Sequence, residues 1–238
     1  MKQEKIHYYF QLPFQNDDVK TFDQWVRQTF QIMENVTLKQ LNRDINIIVS
    51  PKFNYPQSWG NESPIRINLA MSSLLFWSQE VYQLAHEYCH VLINSPYNPQ
   101  MRDEWFEEVI CECASRFVLS KMNDDDYAKQ NYTDSFINYE KALFNEKVFK
   151  FKKNALSNEN SVVLTRLRQN HEWREPQKYL ANMIYPLIAE DGAFWQSIIR
   201  LADFKNENTF MENLSDWYKK SPAPSKQQIS KIIELFQQ

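Results

Sequence analysis

Glycine is nearly absent from this chain: Gly60 and Gly192 are the only two in 238 residues. A phosphate-cradling loop and a turn-rich all-β fold both need more, so neither nucleotide binding through such a loop nor an all-β architecture is expected. No apolar run reaches the roughly eighteen residues of a membrane-spanning helix. The opening "MKQEKIHYYFQLPF" also lacks the apolar stretch of a secretory signal. Excess charge of one sign is missing too: 27 Lys and Arg stand against 30 Asp and Glu, for a net charge of −3. Phosphate contacts require a basic footprint, so no nucleic-acid partner is expected, and no membrane partner. The densest positive stretch, "KVFKFKK" at 147–153, alternates with apolar residues and reads as a solvated face. Cysteine is scarce. Cys89, Cys111 and Cys113 are odd in number and fall inside helical patterns, which suits a reduced, cytoplasmic setting rather than a disulfide framework.

What the chain does have is apolar and aromatic mass, 43% and 15% of residues, enough for a substantial core. Residues 5–12, "KIHYYFQL", are β-prone. From Asp18 to about Leu41 apolar residues recur at helical spacing, and "INIIVS" (45–50) is a β-branched run stopped by Pro51. Residues 51–64 read as loop. "IRINLA" (65–70) alternates like a half-exposed strand, a candidate sheet edge. Helices are expected from about Ser78 to Ile93, ended by Asn94-Ser95-Pro96, and from about Asp103 to Met122. Residues 125–238 carry four or five helical patterns broken at "SNENS", "REP", "EDG", "KNEN" and "SPAPS". The expected fold class is α+β and predominantly helical. A small N-terminal α/β lobe (1–124) would carry a short mixed sheet, and an all-helical lobe (125–238) would follow, with a cleft between them.

Histidine is scarce as well, with four in the chain, and this makes "QLAHEYCHVLIN" (83–94) conspicuous. His86 and His90 are four apart, so on a helix they share a face and can offer one imidazole nitrogen each to a single ion. Glu87 stands beside them without displacing either ligand. This is the mechanical content of H-E-x-x-H: two metal ligands and a carboxylate that can act on water polarised by the ion. A catalytic zinc takes a third protein ligand. The later helix offers Glu104, Glu107, Glu108 and Glu112, with Cys111 and Cys113 among them. Of these acids, Glu108 and Glu112 share a face.

An H-E-x-x-H helix followed by a second helix carrying a glutamate resembles the gluzincins, the zinc peptidases of the thermolysin and aminopeptidase N type. In that family a small residue often lies three positions after the ligand glutamate. An acid or amide often lies four positions after it, where it hydrogen-bonds a ligand histidine. Glu108, followed by Cys111 and Glu112, matches this pattern, and "WFEE" is similar to the family's "WLNE" approach. The resemblance therefore implies Zn²⁺ held by His86, His90 and Glu108, with Glu112 orienting a histidine. It implies Glu87 as general base, in hydrolysis of a peptide or protein substrate. "QKYLANMIYPLIAEDGAFW" further resembles the stretch that supplies an oxyanion donor, which implies Tyr179 in that role, with Tyr185 and His171 as alternatives. The G-x-M-E-N element that anchors a free N-terminus in the aminopeptidase branch is not present, so endo- and exopeptidase readings both stay open. A different reading is a gluzincin-like zinc protein without turnover, acting as a binding or regulatory module. A third is a helical protein with a chance motif.

Overall fold

The computed structural model describes residues 5–93, 103–122, 135–144, 151–170 and 173–238. The stop at 94–96, His171 and residues 147–150 of the basic stretch lie outside them. The fold is α+β and predominantly helical, with one four-stranded mixed sheet in its N-terminal part.

The sheet runs in the order β1 (Ile6–Phe10), β2 (Ile45–Ser50), β4 (Ile65–Ala70), β3 (Gln57–Trp59). β1, β2 and β4 are parallel, with Tyr8, Ile47 and Ile67 in register, and β3 is antiparallel to β4. Period-two alternation sends Ile45, Ile47, Val49, Ile65, Ile67 and Leu69 to one face, where all are fully buried. The opposite face carries His7, Tyr9, Asn46 and Arg66. Here the structure corrects the sequence reading. "IRINLA" is an inner strand, paired on both sides, and the edges are β1 and β3, the latter a three-residue strand inside the segment expected to be loop.

Helix α1 (Asn16–Thr37) starts two residues before the expected Asp18, and the Asp18 carboxylate accepts the Gln15 N–H at 2.9 Å. It stops four residues short of Leu41, because Leu38 adopts a left-handed conformation (φ 54°) and the Thr37 hydroxyl turns back to the Met33 carbonyl. Phe22, Trp25, Val26, Phe30 and Met33 form its buried face, at the spacing read from the sequence. Helix α2 (Trp77–Ile93) packs against α1, β3 and β4. Helix α3 (Glu104–Met122) follows, then α4 (Ser135–Phe144), α5 (Val162–Gln169), α6 (Arg174–Ile188), α7 (Phe210–Lys220) and α8 (Lys226–Gln237). One expectation in this region fails. "REP" does not break a helix but opens α6, with Pro176 in its first turn, where a missing N–H costs nothing. Gly192–Asp203 winds as a 3₁₀ helix, capped by the Asp191 carboxylate on the Ala193 N–H.

Packing divides the chain into two compact units, residues 1–94 with 114–145, and residues 95–113 with 146–238. The division falls inside α3, a single continuous helix. The first unit holds the sheet, α1, α2 and α4. The core of the second gathers around Phe106, whose ring meets those of Phe204, Phe210, Trp217 and Phe236. A polar clamp in that unit fixes the start of α3. The Asp103 carboxylate accepts from Arg168 (2.9 Å) and Asn213 (3.0 Å), and Arg168 also donates to Glu159 (2.7 Å). Among the described residues no helix is long and apolar enough to cross a membrane.

One buried group sets a pH dependence. Glu80 on α2 is fully buried, neither carboxyl oxygen is hydrogen-bonded, and burial pushes its pKa well above the ordinary range. The folded state therefore keeps a proton that the unfolded chain releases. Its contribution to stability is fully present below the unfolded pKa and is lost as pH rises through the folded one. Glu80→Gln carries no such cost, so it should exceed wild type in stability by at least ~1 kcal/mol at pH 8. Urea unfolding at pH 8 and pH 4.5 should show that advantage shrinking on acidification.

Candidate metal centre

His86 and His90 occupy successive turns of α2, a helix held along its whole length within the first unit. At its N-terminal half Gln83 pairs with both backbone groups of Ala70 at the end of β4 (2.8 and 3.0 Å), and Gln79 adds a third bond at 3.1 Å. Midway, the Ser58 hydroxyl of β3 donates to the Glu87 carbonyl at 3.1 Å, and the Ser115 hydroxyl of α3 donates to the Tyr82 carbonyl at 2.9 Å. Tyr88 stacks on Phe30, with ring centres 3.9 Å apart, and donates to the Glu34 carboxylate. At the C-terminal end Lys39 donates to the Leu92 carbonyl, placing a cation at the negative end of the helix dipole. Burial lowers the pKa of this Lys39 ammonium. These ties leave α2 little freedom to rotate or slide, so the direction of its histidines is set by the scaffold.

The Nε2 atoms of His86 and His90 lie 3.3 Å apart, their rings inclined at 66°. A carboxylate oxygen of Glu108 joins them, the three ligand atoms all lying within 4.8 Å of one another. His86 is almost wholly buried, while His90 and Glu108 are half-buried. The donor set and spacing suit zinc. Two imidazoles on a tetrahedral zinc, each at about 2.0–2.1 Å, have nitrogens about 3.3–3.4 Å apart. The histidine pair already has that separation. Glu108, with a flexible and partly exposed side chain, supplies the third donor.

Glu87 is 4% exposed and Glu112 is fully buried. The Glu112 carboxylate accepts from the Arg174 guanidinium at 2.9 Å, a partner 62 residues further on. Sequence reasoning missed this ion pair. Arg174 stood in "REP" and was read only as part of a helix break, and nothing local marks a contact at that distance. The tie from Ser58 to Glu87 was missed for the same reason, since its strand was not expected. Tyr179, on α6, donates to the Phe151 carbonyl at 3.4 Å and packs edge-on against the Phe151 ring. Tyr185 lies further along the same helix, half-buried. Cys89, Cys111 and Cys113 are all buried and form no disulfide.

Family models, curated proteins and solved structures were all compared with the chain, and none matches.

The cluster makes a direct prediction. Protein dialysed against zinc should hold close to one ion per chain, and His86→Ala, His90→Ala and Glu108→Ala should each hold far less. Elemental analysis alongside the unfolding temperature separates lost ligation from lost folding. Full zinc content in Glu108→Ala would remove Glu108 from the ligand set.

Proposed function

We propose that this chain is a zinc-dependent hydrolase of peptide bonds, with the residue roles of a gluzincin. The observation that supports this reading most is the convergence of His86, His90 and Glu108, from two separate helices, on one point. Those three residues would hold the ion. Bound zinc supplies Lewis-acid chemistry, lowering the pKa of water and polarising a carbonyl. Glu87, next to the ligand His86, takes a proton from the attacking water and delivers it to the departing amine. Tyr179 is the proposed donor to the oxyanion. Its hydroxyl is held by a bond of 3.4 Å, longer than a normal O–H···O contact, so little is lost when it turns to another acceptor.

The edge of the sheet suggests how a substrate would be held. Among the described residues β3 pairs only with β4, and through Ser58 it is tied to the carbonyl of Glu87. An extended peptide laid along β3 would gain main-chain hydrogen bonds beside the motif helix. The strand that would receive a substrate is therefore Gln57–Trp59 rather than "IRINLA", the candidate edge of the sequence reading. The reduced cysteines agree with a cytoplasmic setting.

Glu87→Gln is expected to keep its zinc and to lose cleavage by ~10²–10⁴-fold on a peptide mixture read by mass spectrometry. Equal cleavage by both proteins would remove Glu87 as the base. Zinc-loaded wild type that cleaves nothing would leave the silent, zinc-holding module instead. Tyr179→Phe is expected to lower kcat by ~10²–10³-fold with a smaller change in KM. A change in KM alone would assign Tyr179 to substrate binding.

A further inference from the structure

The first unit carries an open groove of about 480 Å³ at the N-terminal end of α2, walled by Leu75, Phe76, Gln79, Asn138 and Tyr139. Among the described residues no Asp, Glu, Lys, Arg or His lines it. Leu75 and Phe76 are 58% and 51% exposed, an uncommon state for two adjacent large apolar side chains. The volume falls within the range of about 300–1,000 Å³ typical of ligand sites.

The position of this groove relative to the histidines gives it a meaning. Ser78, Tyr82, His86 and His90 are spaced by four and form one stripe along α2. Helix α4 packs against the first half of that stripe: the Ser135 and Ser78 hydroxyls are 2.9 Å apart, and the Tyr139 ring meets the Tyr82 ring at 6.0 Å. Ser135 and Tyr139 are themselves four apart, so the two stripes face each other. An ion pair between Arg116 and Glu140 at 2.6 Å fastens α4 to α3. Tyr139 is thus a wall of the groove on one side and a neighbour of the histidine stripe on the other. From Ser78 to His86 the helix advances about 12 Å, the length of three to four residues of extended peptide.

We infer that the groove is a remote substrate subsite, taking a large uncharged apolar side chain three to four residues from the bond that is cut. This rests on the hydrolase reading and adds a substrate class to it: peptides with an aromatic or large aliphatic residue at that distance. This uncharged lining selects against acidic and basic residues there, since none of the described lining residues would pair with a desolvated charge. Phe76 and Leu75 supply the apolar contact area, and Asn138 and Gln79 line the polar rim.

The test uses zinc-loaded, full-length protein. A bond cleaved by wild type is first located by mass spectrometry. Peptides sharing that bond are then made with Phe, Ala or Lys at each position out to five residues on either side. At one position three or four residues away, kcat/KM should favour Phe over Ala by about tenfold or more, with Lys no better than Ala. Phe76→Ser, a change at an exposed site, should bring that Phe-to-Ala ratio close to one, and Asn138→Trp, which fills the groove, should do the same. A flat scan in wild type, or a ratio unchanged in both variants, overturns the subsite while leaving the hydrolase reading intact. Wild type eluting as a dimer that Phe76→Ser converts to monomer, with the ratio unchanged, would assign the groove to a second copy and also overturn it. If zinc-loaded wild type cleaves no peptide, the hydrolase reading itself fails and the subsite with it.

Discussion

Two imidazole nitrogens held 3.3 Å apart cannot both turn lone pairs toward each other unless something positive lies between them. A proton shared as an N–H···N bond meets that requirement, and so does a metal cation. The carboxylate of Glu108 beside the pair adds attraction for positive charge at that point. Most of the fixed geometry of the first unit serves to keep those nitrogens in place. The ties from Ala70, Ser58, Ser115, Glu34 and Lys39 act at successive levels of α2, so the histidines are directed by a scaffold rather than by their own rotamer preferences.

The third donor depends on a different set of forces. Glu108 lies one turn after the start of α3, where Asp103 is clamped by Arg168 and Asn213 and where Phe106 sits in an aromatic cluster. Four residues further on, Glu112 is buried against Arg174. A carboxylate with no exposure needs such a partner, since leaving it unpaired in that setting would cost several kcal/mol. The acids of α3 thus differ in environment: Glu108 is half-buried beside the two histidines, whereas Glu112 is fully buried and bonded to a guanidinium.

Much of this was legible in the sequence, for identifiable reasons. The helical period of Phe22, Trp25, Val26, Phe30 and Met33 and the β-branched run Ile45–Ser50 declare themselves because burial enforces their spacing. His86, Glu87 and His90 are readable because their relation is local to one helix. Other features were hidden because they depend on pairing. β3 is three residues long with no alternation to detect, so this edge strand was taken for loop and β4 for an edge. The early end of α1 turns on the left-handed backbone of a single residue, Leu38, which leucine seldom adopts. The contact between Arg174 and Glu112 joins positions whose local contexts do not mention each other. The groove beside Tyr139 exists only because α4 returns to lie along α2.

The central claim, that His86, His90 and Glu108 together hold zinc, is tested most directly by crystals of the zinc-loaded protein measured on both sides of the zinc absorption edge. The account requires one strong anomalous peak at about 2.0–2.2 Å from both Nε2 atoms and from a Glu108 oxygen. An N–H···N bond between the two histidines with no peak beside it, or a peak whose ligands exclude Glu108, would contradict it.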